Sequence, residues 1–375
     1  MGGSYARARL WVGITGVGTF VLAAAALLAT GAPRRWLAGA GGTPLEDALA
    51  LGGALGLAAL LGLPFDVLGG LVLPRRFRRA HPAAARFAWN WLRGVAVLVA
   101  LSTAGGVLLL AAGRAGGRAA ALAALAGLAL AWVALQEPLA RVVGGLRRVR
   151  GDALAGLDVD AIVLEGLDPG FSGGFTGASA RLVLPARWLR VFEPRELALL
   201  VERRRRILRA GAWRRTLVAA LCWNTLGFGL ASLLPGAGVT TPAELVATAL
   251  GFTLWTFVGL LVLPTPSRAA TRAADARAAD GAAARRVLAR TVRTLDRMQD
   301  DEPERASGVE AVFHPVPSVA GRLRALERPE RAPLDAWHLA RTALWLSHVG
   351  LSLLPRAVHC NAGRPELWVY LPGDG

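Results

Sequence analysis

The sequence predicts a mostly α-helical, polytopic membrane protein with about six transmembrane helices and a small α+β cytoplasmic portion. Three observations predict it. Six long apolar blocks run through the 375 residues, arginines crowd the block ends, and a glycine-rich, strand-like stretch separates the fourth block from the fifth. The blocks are Leu10–Thr30, Ala48–Leu73, Gly94–Gly113, Ala119–Gln136, Thr216–Leu234 and Ala243–Leu263. Each is close to the ~20 apolar residues that span a ~30 Å hydrocarbon core. They account for a composition that is 54% hydrophobic and a mean hydropathy of +0.43. A buried helix of a soluble protein is usually shorter or keeps one polar face.

A net charge of +17 and a pI near 11.6 would first suggest nucleic-acid binding. The placement of the charge argues against a nucleic-acid partner. Arg7 and Arg9, then Arg75, Arg76, Arg78, Arg79, Arg86 and Arg93, then Arg141, Arg147, Arg148 and Arg150 flank the apolar blocks. The alternate loops are poorer in positive charge: Arg34 and Arg35 are offset by Glu46 and Asp47, and residues 235–242 carry no basic residue. That asymmetry is the positive-inside pattern and puts both termini in the cytoplasm. The expected partners of this charge are the lipid bilayer and its anionic headgroups. All 43 basic residues are arginine, which with the abundant Ala and Gly implies a GC-rich bacterial genome and hence the bacterial inner membrane. The first apolar block exceeds the 7–15 residues of a signal-peptide core and is read as a retained helix. Cys222 and Cys360 form no motif and no disulfide framework.

The expected organisation is four transmembrane helices in 1–136, a cytoplasmic insert in 137–215, a transmembrane hairpin in 216–264 and a cytoplasmic helical tail in 265–375. In the insert, a basic helical stretch comes first. Ala161–Glu165 is a short apolar strand, and the turn Pro169-Gly170-Phe171-Ser172-Gly173-Gly174 leads into a second strand, Phe175–Leu184. Pro185–Phe192 is short and helical. A longer helix starts at Pro194, where proline suits the first helical position and Glu196 the first turn. Leu197, Leu200, Val201, Ile207 and Leu208 mark its apolar face. The tail opens with an Ala/Arg-rich helix over Ser267–Met298, interrupted near Gly281. Residues 300–307 are a polar linker, Trp337–Leu354 is a core or interfacial helix, and Leu367–Leu371 a final strand.

Gly170-Phe171-Ser172-Gly173-Gly174 matches the G-x-S-x-G pattern, but that chemistry needs a helix after the serine, and here a strand follows. A glycine-rich turn explains Ser172 better. The histidines His81, His314, His338, His348 and His359 include no pair four residues apart. His338 and His348 would lie about 80° apart and three turns along a helix, too far for one metal ion. Asp66 and Asn224, polar groups within apolar blocks, are read as packing contacts, with a solute pathway as the alternative. Arg203-Arg204-Arg205-Arg206 is either a solvated helix face or a juxtamembrane lipid-binding patch.

One order of features stands out. A glycine-rich turn precedes a strand, then Leu184-Pro185-Ala186-Arg187-Trp188-Leu189, then a helix opening with Glu196-Leu197-Ala198-Leu199-Leu200-Val201. Two apolar blocks follow, then Ser267-Arg268-Ala269-Ala270-Thr271-Arg272-Ala273-Ala274-Asp275, and later His314-Pro315 ahead of Arg322-Leu323. Over about residues 171–326 this resembles the HtpX and CAAX-prenyl-protease family of membrane zinc metallopeptidases. The resemblance implies a His-Glu-x-x-His helix, a Ser-Arg-x-x-Glu-x-x-Ala-Asp helix after two spans, and a bound zinc ion. Counted from Glu196-Leu197, the His-Glu-x-x-His positions fall on Arg203, Arg204, Arg205, Arg206 and Ile207. A one-residue slide, with Glu202 as the glutamate, puts Val201 and Arg205 at the histidines. The glutamate ligand falls on Thr271, and only Asp275, which in the family supports the site without binding metal, is kept. Arginine has no lone pair to give a metal, so no zinc or other cofactor is expected and no catalytic residue is assigned.

The resulting expectation is a metallopeptidase-like, non-catalytic pseudopeptidase that binds extended peptides or membrane-protein partners, with Phe175–Leu184 as the strand an extended peptide could join. The alternatives are a zinc metalloendopeptidase with atypical ligands and a small-solute carrier. Asp275, one helical turn after Thr271, is expected to pair with Arg203 or Arg204 if the hairpin returns the second helix beside the first.

Overall fold

The structure, a computed structural model, describes residues 4–149, 161–177, 179–327 and 332–369. Capping chemistry sets the first helices. The Ser4 hydroxyl accepts from the Arg7 amide at 3.3 Å and opens α1 (Tyr5–Ala29); after the left-handed Gly31 comes the short α2 (Ala32–Trp36). Thr43 and Glu46 form a reciprocal capping box, with Pro44 in the first turn, and open α3 (Pro44–Val67). A π-helical turn, Leu68–Val72, carries α3 into α4 (Leu73–Arg76). Next, α5 (Ala84–Ala134) is bent where Gly116 and Gly117 leave helical geometry. Gly117 has φ 63° and ψ −158°, a conformation open essentially to glycine. The bend divides α5 into two arms that carry the third and fourth apolar blocks.

Among the described residues, four helices are long and apolar enough to cross a membrane: Tyr5–Ala29, Pro44–Arg76, the bent Ala84–Ala134, and Pro242–Val262. They contain five of the six expected blocks. The remaining block, Thr216–Leu234, is helical but follows Arg214 and Arg215 in its helix and falls outside that set.

The insert begins with α6 (Gln136–Val142) and then a strand, β1 (Arg147–Val149). With β2 (Ala161–Glu165), β3 (Gly174–Thr176) and β4 (Arg181–Pro185) it forms a sheet of order β1-β2-β4-β3. Strands β1 and β2 pair antiparallel, β2 and β4 parallel, and β3 and β4 antiparallel. The expected single strand Phe175–Leu184 is therefore a hairpin. A turn closed by the Ala180 amide on the Gly177 carbonyl divides it, with Gly177 at φ 69° and Ala180 at φ 56°. β4 lies inside the sheet and β3 is wholly buried, so this segment is not an open edge for peptide addition.

The chain continues through α7 (Trp188–Val191), α8 (Pro194–Arg209), α9 (Ala212–Ala231) and α10 (Pro242–Val262). α9 and α10 form a hairpin in which the Trp223 and Trp255 rings lie 4.6 Å apart and the Trp255 indole donates to the Trp223 carbonyl. The Ala/Arg-rich stretch is broken ahead of Gly281 into α11 (Pro264–Ala278) and α12 (Gly281–Gln299). α13 (Ser307–Phe313), α14 (Val319–Glu327), α15 (Leu339–Leu346) and α16 (Pro365–Trp368) complete the chain. The helix expected over Trp337–Leu354 is shorter: α15 ends at Leu346, and Leu351 adopts φ 63° in the turns that follow. The expected last strand is replaced at Leu367 and Trp368 by α16, whose Pro365 and Glu366 are helix-opening residues; residues 370–375 lie outside the described part. One apolar core joins the sheet, α8, α9, α10, α11 and α15, with Phe175 packed on Trp213 and Trp337.

Candidate functional site

Two helices far apart in sequence meet because the hairpin between them folds back. α8 opens on a capping box of Glu193 and Glu196 with Pro194 in its first turn. Its apolar residues Leu197, Leu200, Val201 and Ile207 face the core and take Arg203 and Arg204 in with them. The α9–α10 hairpin then returns α11 against α8. The Asp275 carboxylate on α11 accepts from Arg203 Nε at 2.8 Å, from Arg322 Nε at 2.7 Å and from Arg322 Nη2 at 2.9 Å. All three side chains are about as inaccessible as core leucines, at 1–2% exposure. Asp275 thus pairs with Arg203, one of the two partners expected, and also with Arg322 of α14.

Burial opposes the charge on each group. On Asp275, Arg322 and Arg203 overcome that opposition and hold the carboxyl below its usual range. On Arg203, burial wins: the guanidinium is pulled down to about 10 although Asp275 pushes it up, because it shares that carboxylate with the like-charged Arg322.

Arg204 points to the sheet. Its Nη1 donates to the Val183 carbonyl at 2.9 Å and its Nη2 to the Ser172 carbonyl at 2.6 Å, while its guanidinium lies 4.6 Å from the Trp188 ring centre. The arginine run is thus neither a solvated face nor a lipid patch at its first two positions. They are the interior ties of α8, and Arg205 and Arg206 are only partly covered. Ser172 is buried in a turn that runs straight into β3, with no helix behind it. Ile207 is core, and the Thr271 hydroxyl donates to the Ser267 carbonyl at 3.0 Å. Arg268 gathers three carbonyls, those of Glu310, Ala311 and His314, and so ties α13 to α11.

Among the described residues, no three histidines gather at one point. His314 stacks edge-on with His359 at 5.0 Å, His338 packs on Trp337 at 4.1 Å, His348 lies against Trp132, and His81 is exposed. Burial, reinforced by Arg341, Arg203, Arg204 and Arg322, holds His338 well below its usual range and keeps it neutral. Burial likewise lowers His314 to about 2 and His359 to about 4.

Zinc does not fit this donor set. A zinc site needs thiolate, imidazole or carboxylate lone pairs in tetrahedral array, and the positions at issue hold Arg203, Ile207 and Thr271. Among the described residues, no three His, Cys, Asp or Glu side chains are grouped so as to hold a metal ion. Two guanidinium groups about one carboxylate also leave net positive charge, which repels a divalent cation. What the cluster can do is mechanical: charge-assisted hydrogen bonds lock α8, α11 and α14 together. Sequence reasoning placed Arg322 next to the constellation but gave it no role. Arg322 falls at the Arg-Leu pair after His314-Pro315, and that order was the available signal.

The polar residues of the apolar blocks have local partners. The Asp66 carboxylate accepts from the Trp91 indole at 2.9 Å and the Gly363 amide at 2.7 Å, and is paired with Arg356. The Asn224 amide donates to the Ala220 carbonyl of its own helix and to Ala343 of α15.

No family model and no curated protein matches the chain. Seven chains among solved structures do. One of these, titled "Crystal Structure of S. mikatae Ste24p", has 15% sequence identity and a TM-score of 0.63, and the match covers 76% of this chain and 76% of that one. At that identity the likeness speaks for the fold. The protein is a mostly helical membrane protein, 70% helix with a small sheet, and has the fold of Ste24p.

Proposed function

We propose that this protein is a pseudopeptidase of the HtpX and CAAX-prenyl-protease type, resident in a bacterial inner membrane, that binds polypeptide or membrane-protein partners without cleaving them. One observation carries the reading. Where α8 and α11 meet, the place the resemblance assigns to a metal, the side chains are an ion cluster of Arg203, Asp275 and Arg322 at 2.7–2.9 Å. A carboxylate that already serves two guanidinium groups has little capacity left for a Lewis acid. The cluster keeps the helices in peptidase-like register, so binding surfaces survive while hydrolysis does not. The separation of His314, His338 and His348 weighs against a peptidase with atypical ligands. The local hydrogen bonds of Asp66 and Asn224 weigh against a solute pathway built on them.

The test is metal analysis of the full chain purified without chelator, alongside a casein-cleavage assay. The expected outcome is zinc at background and no cleavage. Stoichiometric zinc that persists through dialysis, or chelator-sensitive cleavage, would overturn the reading. The triple change Arg203→His, Ile207→His and Thr271→Glu supplies a positive control for metal capture.

A further inference from the structure

A cavity of about 700 Å³ lies apart from the buried cluster, between the ends of two membrane helices and the α+β portion. The loop joining α4 to α5 forms one wall, the segment Leu167–Pro169 with Arg187 another, and the end of α12 with residues 363–366 closes it. Tyr5, Pro74, Phe87, Leu167, Pro169 and Met298 give it a largely apolar lining. Its charged groups are unbalanced. Arg79, Arg86, Arg187, Arg297 and Arg364 face Asp168 and Glu366.

The two carboxyl groups are already committed. Asp168 is held in a bidentate pair by Arg364, and Glu366 accepts from the Leu167 and Asp168 amides at 2.9 Å each. Arg79 is likewise engaged, by the Arg297 carbonyl and by Asp301. The side chains of Arg86 and Arg187 make no hydrogen bond or ion pair among the described residues, and the Arg297 guanidinium donates only to Thr294 of its own helix. The uncommitted charged groups of the cavity are therefore all guanidinium donors. A polypeptide backbone brings donors and acceptors in equal number, whereas a phosphate group brings acceptors alone and matches the planar guanidinium fork. The volume is that of a small-molecule site, and the apolar lining suits carbon attached to the anion. The location, immediately beyond Arg76 and ahead of Ala84, is the polar margin of two membrane-capable helices.

We propose that this cavity binds a net-anionic, phosphate-bearing amphiphile, its phosphate held by Arg86, Arg187 and Arg297 and its glycerol or acyl portion against Tyr5, Phe87 and Met298. The source of the phosphate is either a membrane phospholipid or a soluble phosphate ester. The proposal is independent of whether the buried cluster ever holds metal.

The full chain is purified in non-ionic detergent and titrated with phosphatidylglycerol, phosphatidylcholine or glycerol 3-phosphate, with bound ligand counted by native mass spectrometry. Phosphatidylglycerol is expected to be preferred over phosphatidylcholine by roughly tenfold, and Arg86→Gln/Arg187→Gln to abolish that preference. Arg86→Lys/Arg187→Lys retains part of it, and Arg195→Gln, an exposed arginine on α8 outside the cavity, retains it all. Unaltered thermal unfolding of the Gln variant separates loss of binding from loss of fold. Binding of glycerol 3-phosphate alone, with the same dependence on Arg86 and Arg187, assigns the site to a soluble ester. Equal retention of both lipids, phosphatidylglycerol binding indifferent to the two arginines, or displacement by hexaglutamate with no binding of either phosphate probe would overturn it.

Discussion

At the residue scale, the question is how a membrane protein of this composition tolerates arginine inside its core. Arg203 and Arg322 are each desolvated, and their burial is offset by one shared carboxylate that satisfies three N–H donors. Breaking such a cluster costs more than replacing it, because one deletion leaves buried charge without compensation. Asp275→Ala is expected to destabilise the protein by about 3–5 kcal/mol. The apolar triple Arg203→Met, Asp275→Leu, Arg322→Met should recover most of that. Thermal unfolding in detergent measures both, and an Asp275→Ala midpoint equal to that of the parent would contradict the assignment. The pH dependence has a definite sign. Asp275 titrates lower in the folded chain than the unfolded value of about 3.9, so its contribution is fully present above about pH 4. It is lost as pH falls through the folded value. The stability gap between the parent and Asp275→Asn should therefore be flat from about pH 5 to 8 and narrow below about pH 4.

At the element scale, turns and close approaches decide what apolar pattern leaves open. The hairpin β3–β4 has the apolar content of one long strand, and Gly177 inside it was the sign of the break. The last strand was expected over Leu367–Leu371, yet Pro365 and Glu366 open a helix there, as Pro194 and Glu196 do at α8. The Trp368 indole then donates to the Asn361 carbonyl at 2.8 Å. The π-helical turn has a packing reason. A Cβ on Gly70 would meet the Gly363 carbonyl oxygen at 2.2 Å, so the C-terminal loop can seat on the membrane helix only where side chains are missing. Gly70→Ala is expected to lower stability by about 1–3 kcal/mol, read as a lower unfolding midpoint. Gly53→Ala, where nothing approaches within 4 Å, is the matched control and should not fall. Equal behaviour of the two variants would remove the packing explanation.

At the scale of the whole molecule, the loops sort to two ends. Arg114 forms a bidentate pair with Asp47 at 2.6 and 2.8 Å and donates to the Thr240 carbonyl, so the bend of α5, the start of α3 and the loop before α10 share one end. At the other end, the Arg79 guanidinium lies 5.2 Å from the Tyr5 ring centre and donates to the Arg297 carbonyl, joining the basic loop to α12. The arginine-rich end is expected to face the cytoplasm because basic loops resist export. With native cysteines removed, a cysteine at Gly238 should label from outside intact cells and one at Gly375 only after permeabilisation. Labelling of both from the same side would refute the orientation.

Much of this protein is legible in one dimension because its determinants are local. Apolar runs, flanking arginines and Pro-Glu helix starts depend on near neighbours and the solvent, so the membrane blocks, α8, α11 and α12 could be read directly. The pairing of Asp275 with Arg203 was also foreseeable, since an α-helical hairpin returns the chain to its starting face. Tertiary structure alone decided that Arg203 and Arg204 are buried while Arg205 and Arg206 are not, that Arg322 completes the cluster, and that five arginines surround one cavity. Arginine in a sequence gives no sign of its environment: its long stem reaches either solvent or a distant carboxylate or carbonyl. Which of these occurs depends on partners 47, 72 and more than 200 residues away. Those separations are closed by packing between elements, for which apolar periodicity sets the faces but not the neighbours.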